Sequence, residues 1–243
     1  MPHTKVSPKG SPKASFLHGS AALDRVGADV LHRIVVRAAQ VRVDRRGALW
    51  SHGDPVTHVY WIRTGVICER IPLPRGRELV LAFRGRGEVV GEVGALEAAV
   101  RGEAVHGTTA EVHEETTLYS LPVAELATLL TTDPSLAVGL AIVTTDRRKR
   151  LEERLATVLF RSAQARMAAV LLDLAASFGI RDSRGVIVNL KLTHRDLAGL
   201  AGASRETASV ALLEWRRDGL VLVEGKRVVV LDVERLSALA RDG

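Results

Sequence analysis

Residues 192–231 read LTHRDLAGLAGASRETASVALLEWRRDGLVLVEGKRVVVL. Thr193 with Asp196 three positions on resembles a capping box, with Asp in place of the usual Glu, and predicts a helix starting at Thr193. Leu197, Leu200 and Ala201 give that helix one buried face, and Ala198 is small enough to admit a close neighbour. Gly202 breaks it. Ser204 then caps a second helix whose apolar face is Ala208, Ala211, Leu212 and Trp215. Two helices joined by a three-residue turn containing Gly form a helix-turn-helix. Residues 221–223 and 227–231 flank Glu224-Gly225-Lys226 and predict a hairpin, the wing of a winged helix.

This arrangement points to a chemistry. The first turn of the second helix in such a pair enters the major groove of DNA and shows its side chains to base edges. Here those are Arg205, Glu206 and Ser209. Arg donates two hydrogen bonds to guanine O6 and N7, and a carboxylate accepts from cytosine N4. Thr193, Ser204, Thr207 and Lys226 suit phosphate oxygens, which set register rather than sequence. The competing reading is a helical hairpin used only for packing, which needs neither the polar Ser-Arg-Glu-Thr run nor a basic wing.

Upstream, Ser162 opens a helix over 162–178, followed by the turn Ser183-Arg184-Gly185 and a strand over 186–190. Asp133-Pro134 reads as the cap and first turn of a long helix reaching Phe160, about 40 Å at 1.5 Å per residue. Leu136, Leu140, Val143, Leu151, Leu155 and Val158 recur by threes and fours along it, and Leu140, Val143, Leu151 and Leu155 are expected to form a dimer seam. The run from Arg147 to Arg150, with Arg154, is expected on its solvated face. Pro122 opens a shorter helix through Leu130. Between Gln40 and Leu121, short Val- and Thr-rich runs such as Val59-Tyr60-Trp61-Ile62 alternate with turns at Gly53-Asp54-Pro55, Thr64-Gly65, Pro74-Arg75-Gly76 and Gly85-Arg86-Gly87, which predicts an antiparallel barrel or sandwich. Gly85, Gly87 and Gly91 are read as hairpin and roll glycines with no helix after them. Val26, Val30, Ile34 and Val35 predict a helix within 23–40.

The expected organisation is a disordered basic tail over 1–20, an effector-type β-roll domain over 21–132, a dimerisation helix over 133–160 and a DNA-binding domain over 161–243. The tail carries the repeat Ser7-Pro8-Lys9 and Ser11-Pro12-Lys13 and no acidic residue. The 243 residues are 47% hydrophobic, enough for two cores, with a formal net charge of +6 that favours an anionic partner without defining its site. No secretory signal or membrane-length apolar run is present in the sequence, so a cytoplasmic protein with no membrane partner is expected. The one cysteine, Cys68, excludes an internal disulfide and an iron–sulfur cluster held by cysteines, and no metal site is expected.

At Gly202-Ala203-Ser204-Arg205-Glu206-Thr207, at Gly53-Asp54-Pro55 with residues 59–65, and at Gly91-Glu92-Val93-Gly94, the chain resembles the CRP/FNR superfamily of dimeric bacterial transcription regulators. The resemblance spans residues 23–240. It implies an α+β fold: an N-terminal cyclic-nucleotide-binding-like β-roll, a long dimerisation helix and a C-terminal winged helix-turn-helix. It also implies double-stranded DNA, a second copy of the chain and RNA polymerase as partners. The effector pocket it implies contains Gly91, Glu92, which holds the ribose in the family, and His106; Arg101, five residues before His106, could reach in from the loop. The Arg-Ser pair that grips the cyclic phosphate in cyclic-AMP-binding members falls on His106-Gly107, and the polar pair that reads adenine falls on Leu151-Glu152, which argues against cyclic AMP. Cys68 reads as a small buried hydrophobe rather than a haem ligand. The Arg found one position beyond Ser209 in many members is Val210 here, which could meet a thymine methyl.

No G-x-S-x-G elbow, H-E-x-x-H or P-loop occurs, so an enzyme is not expected. The function expected is a homodimeric transcription regulator that reads an inverted repeat. The alternative is a ligand-sensing or protein-interaction module whose DNA-binding half is vestigial.

Overall fold

The computed structural model describes residue 23 and residues 26–74 and 77–241; the basic tail expected over residues 1–20 lies outside these. Among the described residues the chain forms two compact units. One takes the chain up to Glu69 together with Phe83–Arg148; the other takes Arg70–Ala82 and the chain from Lys149 onward.

The first unit begins with α1 (Ala28–Arg37) and then β1 (Ala39–Val43), β2 (Ala48–Trp50), β3 (His58–Leu73), β4 (Arg77–Arg84) and β5 (Val89–Val90). After these come α2 (Glu92–Arg101), β6 (Thr109–Pro122), α3 (Val123–Thr132) and α4 (Pro134–Phe160). The helix expected over 23–40 is confined to α1, because Val41 and Val43 alternate with polar residues and pair with β6 at Leu118 and Thr116. The sheet runs β1-β6-β3-β4, with β2 on β6 and β5 on β3. Successive side chains of a strand face opposite ways, and β3 uses both faces. Val59 and Trp61 enter a core shared with α1, α3 and α4, while Ile62 and Ile67 enter a second core with Trp50, Val112 and Leu118. Gly65 is required where it stands: at φ +89 its backbone lies so near β6 that a Cβ would sit 2.2 Å from the Glu115 carbonyl oxygen. Cys68 is buried on β3.

Two expectations need correction. A helix does follow Gly91: α2 runs for ten residues between Gly91 at φ +77 and Gly102 at φ +91. Its buried residues are Glu92, Ala95 and Ala98, with Leu96 half-buried, while Val93 and Val100 are exposed, so no clear apolar period marks it in the sequence. On α4, Leu140 and Val143 belong to the first unit's own core, so they are not open to a second chain. Leu151, Leu155, Val158, Leu159 and Phe160 are exposed at the end of that helix, and Val138 near its start is exposed as well.

The second unit holds the distal ends of β3 and β4, the last part of α4, and then α5 (Ala163–Phe178), β7 (Gly179–Arg181) and β8 (Val186–Val188). These lead into α6 (His194–Ala201), α7 (Arg205–Arg217), β9 (Val221–Glu224), β10 (Arg227–Val230) and α8 (Val233–Arg241). Ser162 caps α5 by accepting from the Ala165 amide at 3.2 Å. The antiparallel sheet runs β7-β8-β10-β9. Val228 and Val229 bury one strand of the wing, and Leu236 and Ala240 of α8 close the core. Among the described residues no single helix is long and apolar enough to cross a membrane.

Candidate nucleic-acid interface and effector pocket

The helix-turn-helix is built from its caps. Thr193 Oγ1 accepts from the Asp196 amide at 3.1 Å, and the Asp196 carboxylate accepts from the Thr193 amide at 3.0 Å, closing the capping box around the start of α6. Gly202 ends α6 at φ +61, a left-handed conformation that glycine adopts without cost. Ser204 Oγ then accepts from the Thr207 amide at 3.1 Å and lies 3.1 Å from Thr207 Oγ1, starting α7. Leu197, Leu200, Ala208, Ala211, Leu212 and Trp215 are all buried, so the two helices lock through the faces expected.

Around this frame Arg205 and Glu206 are exposed in the first turn of α7, and Thr193, Ser204 and Lys226 are exposed. The Glu206 carboxyl is held below the usual carboxylate range, first by its own backbone amide, then by the Ser204 hydroxyl. It folds back over the helix N-terminus, where negative charge is stabilised. Ser209 is less open than expected. It is half-buried, its hydroxyl donates to the Arg205 carbonyl at 3.0 Å, and it sits 2.8 Å from His194 Nδ1. That hydroxyl fastens α6 to α7, a use in which His194 shares and which no spacing in the sequence signals. Val210 and Leu213 are exposed on the same helix. Lys226 stands in the two-residue turn of the wing, and its carbonyl accepts from the Leu192 amide at 2.7 Å, tying the wing to the entry of α6.

In the first unit Gly91 and Glu92 lie at the start of α2. Glu92 is buried and engaged: Arg147 Nη1 donates to its Oε1 at 2.5 Å while Nη2 donates to the Val89 carbonyl at 2.7 Å. Arg147 was expected on the solvated face of α4. It lies four residues beyond Val143 and seven beyond Leu140, so the same period that buries those two carries it inward. Around it Arg84 Nε donates to Glu69 at 2.7 Å, and Glu88 stands 3.4 Å from Arg84 and 3.7 Å from Arg147. Two guanidiniums thus face three carboxylates, an excess of negative charge. His106 is buried with its ring stacked on Trp50, centroids 4.2 Å apart. Burial pushes its imidazole below its ordinary range against the opposing pull of Asp54. Arg101 ends α2, nine residues from Glu92 and so about 13 Å along the axis. It is exposed and paired with Glu97 at 2.7 Å.

These residues do not fit a cyclic phosphate. The carboxylate that would take a ribose already has a cation, the imidazole is stacked on Trp50 where burial disfavours its cationic form, and Arg101 points to solvent beside its own partner.

A model of the cyclic nucleotide-binding domain matches residues 40–133, and one of the Crp-like helix-turn-helix domain matches residues 165–239. A CRP-like cAMP-activated global transcriptional regulator of Mycobacterium tuberculosis is 30% identical over 197 residues, 81% of this chain and 86% of that protein. The chain belongs to the CRP/FNR superfamily. Electron transport regulator A of Shewanella oneidensis is 26% identical over 87% of this chain and 82% of its own length. In structure, the c-di-GMP-responsive global regulator CLP of Xanthomonas campestris superposes with a TM-score of 0.73, 23% identity, and coverage of 85% of this chain and all of that one. A CRP/FNR-family regulator of Thermus thermophilus gives 0.68 at 25% identity, covering 84% and 99%. This CRP/FNR member is accordingly a DNA-binding transcription regulator, and its relatives named here are regulators rather than enzymes.

Proposed function

We propose that this CRP/FNR member acts as a homodimer that binds an inverted repeat through α7, without cyclic AMP as its effector. The observation that carries the reading is the doubly capped helix pair with Arg205 and Glu206 at the exposed start of α7. Arg205 and Glu206 are assigned to base edges, with Ser209 positioning α7 from behind. Thr193, Ser204, Thr207 and Lys226 are assigned to phosphates. Residues 21–132 then serve as the effector-type domain, 133–160 as the dimerisation helix and 161–243 as the DNA-binding domain.

The dimer reading is supported by the apolar residues at the end of α4. Leu155 is 62% exposed and Phe160 82%, in a stripe with Leu151, Val158 and Leu159 that a single chain leaves in water. Large contiguous apolar patches mark association sites. The seam therefore begins at Leu151 rather than Leu140. Two α7 helices related by a two-fold axis would meet successive major-groove faces about 34 Å apart. RNA polymerase is the further partner this reading carries, and the cytoplasm its place of action.

Against cyclic AMP stands the internal pairing of Glu92 with Arg147 and the stacking of His106 on Trp50, although the M. tuberculosis relative is named as cAMP-activated. The test is selection of bound sequences from random duplexes, followed by titration of the recovered site with and without cyclic AMP. A palindromic consensus bound equally well in both conditions is expected. A bound sequence with no two-fold symmetry would refute the dimer reading, and tight cyclic AMP binding would refute the pocket reading.

A further inference from the structure

The distal hairpin of β3 and β4 and the helix-turn-helix share the second unit, and the contacts between them run along α6 from Arg195 and Asp196 to Gly199. Arg70, near the end of β3, donates through Nη2 to Asp196 Oδ1 at 3.2 Å and through Nη1 to Glu78 Oε2 at 3.3 Å. Asp196 Oδ2 is the oxygen that accepts from Thr193, so the hairpin holds the outer oxygen of the capping box. Glu78 Oε2 also stands 3.8 Å from Arg195 Nη2. Val80 presses on α6 so closely that a Cβ on Gly199 would lie 2.7 Å from its Cγ2. Arg154 joins the two from below, donating to the carbonyls of Leu81 and Leu200.

Arg195 sits two residues beyond Thr193, in the first turn of α6, and its side chain is 69% exposed. A helix start with an exposed guanidinium is a place where a phosphate oxygen binds, since backbone amides and cation act on the same anion. In this arrangement the anion beside Arg195 is a carboxylate of the protein. We propose that Arg195 is a further DNA-phosphate contact and that Glu78, carried on the hairpin, competes with DNA for it. The hairpin is then an autoinhibitory strap: while it is seated, one cation of the DNA face is engaged and a negative charge stands where phosphates approach. Lifting the hairpin releases Arg195 and withdraws that charge. The inference rests on the DNA-binding reading above.

The test uses the full-length protein and a mixed-sequence duplex of about 30 base pairs, titrated by fluorescence anisotropy at salt concentrations from about 50 to 200 mM. Glu78→Gln keeps the side chain's shape and leaves Arg70 on Asp196, so the cap stays closed. It is expected to tighten binding about two- to fivefold, the range set by removing one exposed ion pair. The slope of log affinity against log salt is expected to steepen by about 0.9, one additional phosphate contact. Gly199→Ala unseats the hairpin by another route while raising helix propensity, and is expected to tighten binding as well. Glu78→Gln with Arg195→Gln is expected to lose the gain and the added slope.

Wild-type binding with an unchanged or weaker Glu78→Gln variant overturns the strap and leaves the DNA-binding reading standing. A gain that survives Arg195→Gln overturns the assignment of Arg195. Failure of the wild type to bind the duplex at any salt overturns the DNA-binding reading itself.

Discussion

Replacing Arg147 by Leu tests whether the effector-type domain is held together by its own charges. Arg147 is 13% exposed and Glu92 3%, with 2.5 Å between them, and the second guanidinium nitrogen holds the Val89 carbonyl. Removing the cation leaves a carboxylate in the core with its countercharge gone, a loss of about 3–5 kcal/mol. Removing both partners, as Arg147→Leu with Glu92→Leu, takes out this buried pair whole and leaves Arg84 with Glu69 and Glu88, and such replacements run close to neutral. The double variant should therefore be more stable than Arg147→Leu alone, a coupling that surface pairs do not show. The chain has three tryptophans, of which Trp50 and Trp61 are buried in this unit, so a Trp215→Phe background makes fluorescence report on it alone. In urea, with a slope of about 2 kcal/mol/M, Arg147→Leu should lower the midpoint by about 1.5–2.5 M. A shift below about 0.5 M, or a double variant worse than either single one, would refute the buried-pair argument.

Three further outcomes follow from the geometry. Leu155→Glu places a charge in the exposed stripe of α4 and should give a monomer in sedimentation that no longer holds a two-fold site; an intact dimer would move the seam elsewhere. Arg205→Ala should cost about 1–3 kcal/mol on the selected site and relax one base position, whereas Lys226→Ala should weaken all sequences alike and lower the salt slope by about 1; identical behaviour of the two variants would remove the distinction between base and phosphate roles. His106 is pushed below its unfolded value of 6.5, so the unfolded chain takes up its proton first as pH falls. Stability should therefore be full above that value and decline below it, down to the lowered folded pKa. His106→Phe should flatten this part of a pH–stability curve, and an unchanged curve would remove the buried imidazole as its cause.

What the sequence discloses depends on whether a signal is local. Thr193 with Asp196, Gly202 and Ser204 are caps and breaks, each acting within four residues, and α6 and α7 start and stop where those residues put them. The wing follows equally, since Glu224-Gly225-Lys226 between Val-rich runs is a short-range hairpin signal. By contrast α2 has Ala inside and Val outside, reversing the pattern that periodicity detects. Its boundaries rest on two left-handed glycines whose φ values the sequence does not print. The α4 stripe shows the limit of periodicity in another way. Leu136, Leu140 and Val143 continue in phase both to Arg147 and to Leu151, and only the positions of Glu92 and of the core decide which member each environment takes. Ser209 fails as a freely exposed reader for a similar reason: its spacing on α7 is right, but His194 approaches it from the preceding helix.

The same distinction applies to charge. Thirty-four basic and 28 acidic side chains fix a net charge of +6 without saying which cations meet an outside anion. Arg147 is one of a run of four basic residues, yet it is engaged with Glu92, and Arg70 is engaged with Asp196 and Glu78. An arginine whose guanidinium is already bound to a buried carboxylate adds nothing to counterion release when DNA arrives, because it neutralises no phosphate and so displaces none of the ions condensed on the DNA. The salt slope therefore counts the exposed cations that meet phosphates, Lys226 among them, and not the basic residues of the chain. A slope that responded to Arg147→Leu as strongly as to Lys226→Ala would mean that the cation inside the effector-type domain is open to DNA, which its position against Glu92 and Val89 forbids.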